Sequence, residues 1–196
     1  MVVATATPTM TTEELLAMPD DGVERWLIRG ELRGRPTEPG ERSMTVRNRF
    51  HSRVMIRVGK FLDNWLDQQP EPRGQVLGGE VGVMLARDPD STVGVAVVYV
   101  PPEVTVRQTD ETSLVDGVPT FAVEILSPND TVEDIKEKID TYLAANVPLV
   151  WIINPYHKTV TVHSPGAEPV LFNVRHDLAG DPHLPGFHVP VARLFE

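Results

Sequence analysis

The sequence predicts an α/β domain in which helices pack against a mixed sheet. Two kinds of periodicity lead there. Phe50, Val54, Val58, Phe61, Leu62, Trp65 and Leu66 recur at three- and four-residue spacings, the pattern of one buried helix face. Residues 93–100, 121–126 and 149–153 are instead short, dense apolar runs bounded by Pro, Gly, Asp or Asn, as buried strands are. A chain of 196 residues can bury one sizeable core, and it contains no internal repeat and no low-complexity segment.

Residues 1–10 read as a loose, flexible arm ahead of a single domain over 11–196. Thr11 and Glu14 form a capping-box pattern before Leu15, Leu16 and Met18, so a short helix is expected, ending near Pro19 to Gly22. Residues 23–32 read as a tight hairpin about Gly30, and the Pro- and Gly-containing stretch 34–44 as a loop. The long helix is expected over 46–68, broken by 69–74. A strand over 75–85 follows, with Gly78-Gly79 allowing a bulge or bend. Asp88-Pro89-Asp90-Ser91 is a turn into the strand over 93–100, which Pro101-Pro102 closes, and 103–118 reads as an exposed connection. After the strand at 121–126 come a helix starting at Thr131, a strand over 149–153 and a turn at 155–158. A half-exposed strand over 159–163, a short strand over 170–174 and a Gly/Pro-rich tail complete the chain.

The formal net charge of −10 argues against a nonspecific nucleic-acid binder, whose affinity rests on a basic excess. One basic cluster exists, Arg42, Arg47, Arg49, Arg53 and Arg57; it reads either as a local phosphate-facing patch or as a solvated helix face with its lead-in loop. With no cysteine there is no disulfide framework and no thiolate metal site, and no apolar run approaches the ~20 residues of a membrane span. The first ten residues lack a basic region followed by an apolar core, so a cytoplasmic protein is expected.

Glu124 is the residue that packing alone does not explain. It sits inside the apolar run Phe121, Ala122, Val123, Ile125 and Leu126, where an ionised carboxylate is costly unless a cation, a metal or a proton satisfies it. Alternation along the strand puts Glu124 on the face of Ala122 and Leu126. The next helix carries Lys136 and Lys138 on opposite flanks of an apolar stripe of Val132, Ile135, Ile139, Tyr142 and Leu143. Spacing alone does not choose between them. Either lysine could equally pair within its own helix, with Glu133 or Asp134. A plain buried salt bridge between Glu124 and a lysine is a further reading.

Several ordered motifs add a resemblance. VEILSP at the Glu124 strand, a helix with Lys four residues before Tyr, AANVPLVWIINP and TVTVHSP are similar to the Uma-type restriction endonuclease family of the PD-(D/E)XK nuclease superfamily. MTTEELLAMPD, LIRGEL at 27–32, His51 in the long helix and LPGFHVPVARLF extend the resemblance over nearly the whole chain. It implies a restriction-endonuclease-like mixed β-sheet flanked by helices, and Mg²⁺- or Mn²⁺-dependent hydrolysis of DNA, with the metal polarising phosphate and activating water. In such sites an Asp and a Glu on adjacent strands hold the metal with the carbonyl that follows the Glu, and a Lys stabilises phosphate charge or orients water.

Carried onto this chain, the resemblance implies Glu124 and the Ile125 carbonyl as metal ligands and Lys138 as the catalytic lysine, the superfamily's usual lysine position being Leu126. Glu31 and His51 match positions the family usually keeps as part of its catalytic apparatus. The chain departs from the pattern at the metal-binding Asp, whose position in the segment from Val95 to Glu103 is Ala96. Weak metal binding and impaired cleavage are therefore expected. The alternative is a noncatalytic nucleic-acid-binding or assembly module that retains the fold. A homodimer is plausible for cutting both strands of a duplex.

Overall fold

The computed structural model describes residues 9–19, 21, 23–34, 48–109, 111–128 and 130–196. Most of the expected N-terminal arm, nearly all of the loop expected over 34–44, the expected start of the long helix and two arginines of the basic cluster, Arg42 and Arg47, lie outside them. Met10 at the end of that arm donates its N–H to the Gly30 carbonyl.

Helix α1 spans Thr12–Leu16, and its capping box closes as expected, Thr11 and Glu14 each accepting from the other's backbone. Strands β1 (Arg25–Ile28) and β2 (Glu31–Gly34) form the hairpin about Gly30. Helix α2 runs from Arg49 to Leu66 with Asn48 as its N-cap, and buries His51, Val54, Val58, Leu62, Trp65 and Leu66. Phe50, expected on the apolar stripe, is exposed at the helix start and meets Tyr156 edge-on at 6.2 Å.

Strands β3 (Gln75–Ala86) and β4 (Ser91–Val100) pair antiparallel almost throughout. The connection after them is largely exposed, as its sequence suggests, but it is structured. It contains helix α3 (Pro102–Thr105), begun by a proline pair that suits the first helical turn, and strand β5 (Val115–Asp116), which joins β3 in parallel. Burial of Val104 and Val115 is what holds it down. Strand β6 (Phe121–Ile125), helix α4 (Val132–Ala144) and strand β7 (Leu149–Asn154) form a parallel crossover unit, and β8 (Thr159–His163) and β9 (Val170–Asn173) continue the sheet antiparallel. Val132, at the first turn of α4, is exposed; the stripe of that helix packs on the sheet through partly buried Ile135 and Ile139 and fully buried Tyr142.

The sheet is nine-stranded and mixed, ordered β2-β1-β4-β6-β7-β8-β9, with β3 and β5 attached through β4. One core lies between it and α2, the other between it and α4. The Gly/Pro-rich tail belongs to the first core. Strands β10 (Asp177–Ala179) and β11 (His188–Pro190) and a final 3-10 turn bury Leu178, Leu184, Phe187, Val189, Val191 and Leu194, and Trp65 donates its indole N–H to the Pro185 carbonyl. Among the described residues no helix is long and apolar enough to cross a membrane.

Where β3 starts, the backbone passes so close to β4 that only glycine fits. A Cβ on Gly74 would lie 2.1 Å from the Val100 carbonyl oxygen and 2.8 Å from the Tyr99 ring. Because the nearest atom is backbone and cannot swing away, Gly74→Ala should cost about 3 kcal/mol, the upper end for overpacking. The melting temperature should fall by roughly 6–12 °C in a chain of this size. An unchanged melting temperature would contradict the close approach.

Candidate active site

The site begins with a gap in the sheet. Strand β3 occupies one edge of β4 along its length. On the opposite edge β6 pairs only with Val97, Val98 and Tyr99, and β1 only with Thr92. Between these stretches β4 has no strand beside it, and Lys138 from α4 fills the space, donating to the Gly94 carbonyl at 3.3 Å. The same ammonium lies 3.2 Å from Oε2 and 3.3 Å from Oε1 of Glu124. One lysine thus ties β4 to the last turn of β6.

Local sequence explains why these groups meet. Thr131 caps α4 by accepting from the Asp134 N–H, which fixes where the helix starts. Tyr142, one turn beyond Lys138, is fully buried and donates its hydroxyl to Glu124 Oε1 at 2.5 Å. Lys138 and Tyr142 therefore face the sheet together, whereas Lys136 points to solvent and pairs with Asp140. The helix wheel left the two lysines equivalent; Tyr142 separates them.

Glu124 and Lys138 line a cleft of about 40 Å³ together with Glu24, Trp26, His51, Glu80, Ser127, Asp130 and Asp134. His51, in the first turn of α2, is buried, its Nε2 3.6 Å from Glu80 Oε1. The Trp26 ring stands 5.8 Å from the Lys138 ammonium. Trp26 Nε1 and Ser127 Oγ are buried without a hydrogen-bond partner among the described residues. Glu31 lies elsewhere. It is exposed at the tip of the β1–β2 hairpin, ion-paired with Arg33, and is not part of the cleft wall. Of the basic cluster, Arg49 and Arg53 are exposed and Arg57 donates to the Glu196 carbonyl, away from the cleft.

Glu80 was not singled out by sequence reasoning. The pairing of β3 with β4 shifts between Gly78 and Val81, so Gly79 and Glu80 together oppose Ala96 as a bulge. Both adopt positive φ, +103° and +62°. That conformation is unusual for glutamate, and it delivers the carboxylate across β4, with Oε2 3.6 Å from where a Gly94 Cβ would stand. The Gly78-Gly79 pair was the available signal; it was read as allowing a bulge or bend, without pointing to Glu80.

Electrostatics couples the group. Burial holds the Glu124 carboxyl above its ordinary value, outweighing the pull of Lys138 and Tyr142, and the Glu80 charge pushes the same way. Burial acts against the Lys138 ammonium, but Glu124 and Glu80 overcome it and keep the lysine protonated above its usual range. Tyr142 is driven well above its usual value by burial and by the adjacent carboxylate.

The family described as "Uma2: Putative restriction endonuclease" matches residues 12–192. The chain belongs to the Uma2 family. A protein from Anabaena variabilis ATCC 29413, described as "a putative nuclease belonging to DUF820", shares its fold with a TM-score of 0.75 at 17% identity, covering 95% of this chain and 97% of that one. No curated protein matches the chain. The restriction-endonuclease-like sheet flanked by helices in a single domain is the fold found, and membership in Uma2 supports a nuclease-type function.

At the point where the Uma2 resemblance calls for Asp, Ala96 is buried in the α2 core and not in the cleft wall. Continuing the pairing of Val97 with Val123 and Val98 with Ala122 would set it beside Glu124, at the mouth of the gap. Among the described residues no three His, Cys, Asp or Glu side chains are grouped to hold an ion by themselves. The cleft donors are nonetheless mainly carboxylate oxygens, the chemistry hard divalent cations prefer. The Lys138 ammonium already takes a cation's place between Glu124 and the Gly94 carbonyl.

The raised values of Lys138 and Tyr142 have a consequence at high pH. Their stabilisation is complete below their ordinary values and is lost as pH rises past about 10 toward the folded-state values. Tyr142→Phe should lower stability at neutral pH by about 1–3 kcal/mol through the lost bond to a charged acceptor. It should also make the fall of melting temperature above about pH 10 shallower than in the parent protein. An equally steep fall in both would contradict the placement of Tyr142.

Proposed function

We propose that this Uma2 protein is a metal-dependent nuclease that hydrolyses phosphodiester bonds of DNA in the cleft between β1 and β6. The carrying observation is charge. Glu24, Glu80, Glu124, Asp130 and Asp134 line the cleft against Lys138, so a phosphodiester anion is repelled there unless a cation accompanies it. No residue of the C-terminal segment is among the cleft's described lining, so that segment does not seal it.

Oxygen donors fit Mg²⁺ or Mn²⁺, with Glu124 and the Ile125 carbonyl as the residues that would hold the ion. When bound, it would neutralise phosphate charge and lower the pKa of a coordinated water. The chain's own residues do the rest. Tyr142 fixes the Glu124 carboxylate through its hydroxyl. Lys138, anchored on the Gly94 carbonyl, retains donors that can turn to phosphoryl oxygens. Trp26 backs the ammonium with an apolar face, and Ser127 Oγ and Trp26 Nε1 are donors that a phosphate oxygen would satisfy. Since Ala96, where the resemblance calls for Asp, faces the α2 core and not the cleft, β4 supplies no carboxylate to the metal site and cleavage should be slow.

Nicking of supercoiled plasmid with Mg²⁺ or Mn²⁺ tests the reading. The parent protein should nick only with metal, and Glu124→Gln or Lys138→Ala should slow nicking by at least about 100-fold, as loss of a preorganised charge-stabilising group does. Undiminished nicking by Glu124→Gln, or the same rate in a chelator, would overturn it.

A further inference from the structure

A bulge that forces glutamate into positive φ is costly, and such strain persists where the surrounding structure imposes it. Here the strain has a visible result. Without the extra residue, the β3 side chain opposite Ala96 would follow the alternation of the strand; with it, the Glu80 carboxylate passes over β4. Gly94, which has no side chain, leaves that path open, with Glu80 Oε2 3.6 Å from the position of its missing Cβ. The carbonyl of the same glycine accepts from Lys138, which holds Glu124. Glu80 from β3 and Glu124 from β6 thus converge on one residue of β4 from opposite sides.

We propose that Glu80 is the second carboxylate of the metal site, sharing a divalent cation with Glu124 where β4 itself supplies only Ala96 and Gly94. This rests on the metal-dependent nuclease reading above. The carboxylate that the strand lacks comes from its neighbour, at the cost of a strained backbone. Metal binding requires Lys138 to release Glu124, and its long, flexible stem allows that while it keeps the Gly94 carbonyl. His51, near Glu80 Oε1, then orients the second ligand.

The test is calorimetric titration of the full chain with Mn²⁺ alone, with melting temperature as a second readout. Glu80→Gln removes the charge at constant shape. Glu80→Asn also removes it and tolerates positive φ better, so the metal-free protein should melt at the same temperature or higher. Both variants should bind Mn²⁺ at least about tenfold more weakly, the scale on which metal-site neighbours act, and Mn²⁺ should no longer raise their melting temperature. Parent-like Mn²⁺ affinity in both would overturn the assignment while leaving Glu124 and the nuclease reading intact. No Mn²⁺ binding by the parent protein, or no loss on Glu124→Gln, would overturn both.

Discussion

The ion pair between Lys138 and Glu124 is the interaction on which the site depends. A carboxylate 8% exposed and a mostly buried ammonium have each given up most of their water, and their attraction repays that only with good geometry and further hydrogen bonds. Tyr142 and the Gly94 carbonyl supply those bonds. Burial still wins at Glu124, whose carboxyl is harder to ionise than usual. The pair is therefore a poor device for stability alone. It makes sense where an anion must be held ready for a cation.

The surrounding fold serves that arrangement. Two apolar cores clamp the central strands, and Phe121 and Trp151 meet edge-on at 4.8 Å on the face opposite Glu124. With β6 and β7 fixed in parallel register, Glu124 beside Ile152, the carboxylate has little freedom to escape toward solvent. Leaving residues between Thr92 and Val97 unpaired on one edge of β4 is a defect in sheet terms. It also provides the opening through which a helix-borne lysine reaches a backbone carbonyl.

Much of this was legible in the residues. The Thr11 capping box, the α2 stripe and the strand at Phe121 each follow from local spacing, and local chemistry decides them. Glu124 stood out because a charge interrupts an apolar strand. Helical periodicity did not choose Lys138 over Lys136, because it sets both beside the stripe; the family motif of a lysine four residues before Tyr singled out Lys138, the one that reaches Glu124. Glu80 was hidden for a related reason: a bulge changes the phase of every side chain beyond it, and sequence shows that one is possible without showing where it turns. The tail looked like loop because Gly and Pro set its turns, yet Leu178, Leu184 and Phe187 pack into the core through contacts distant in sequence. Glu31 shares a short motif with the hairpin but ends beside Arg33, since register directs it to the tip.

As proposed, the cleft exchanges a lysine for a divalent cation between two carboxylates. A crystal structure of the protein soaked in Mn²⁺, located by anomalous scattering, addresses it most directly. An ion should lie about 2.1 Å from oxygens of both Glu124 and Glu80, with Lys138 swung off Glu124 and water completing the shell. An empty cleft at saturating Mn²⁺, with Lys138 still on Glu124, would contradict it.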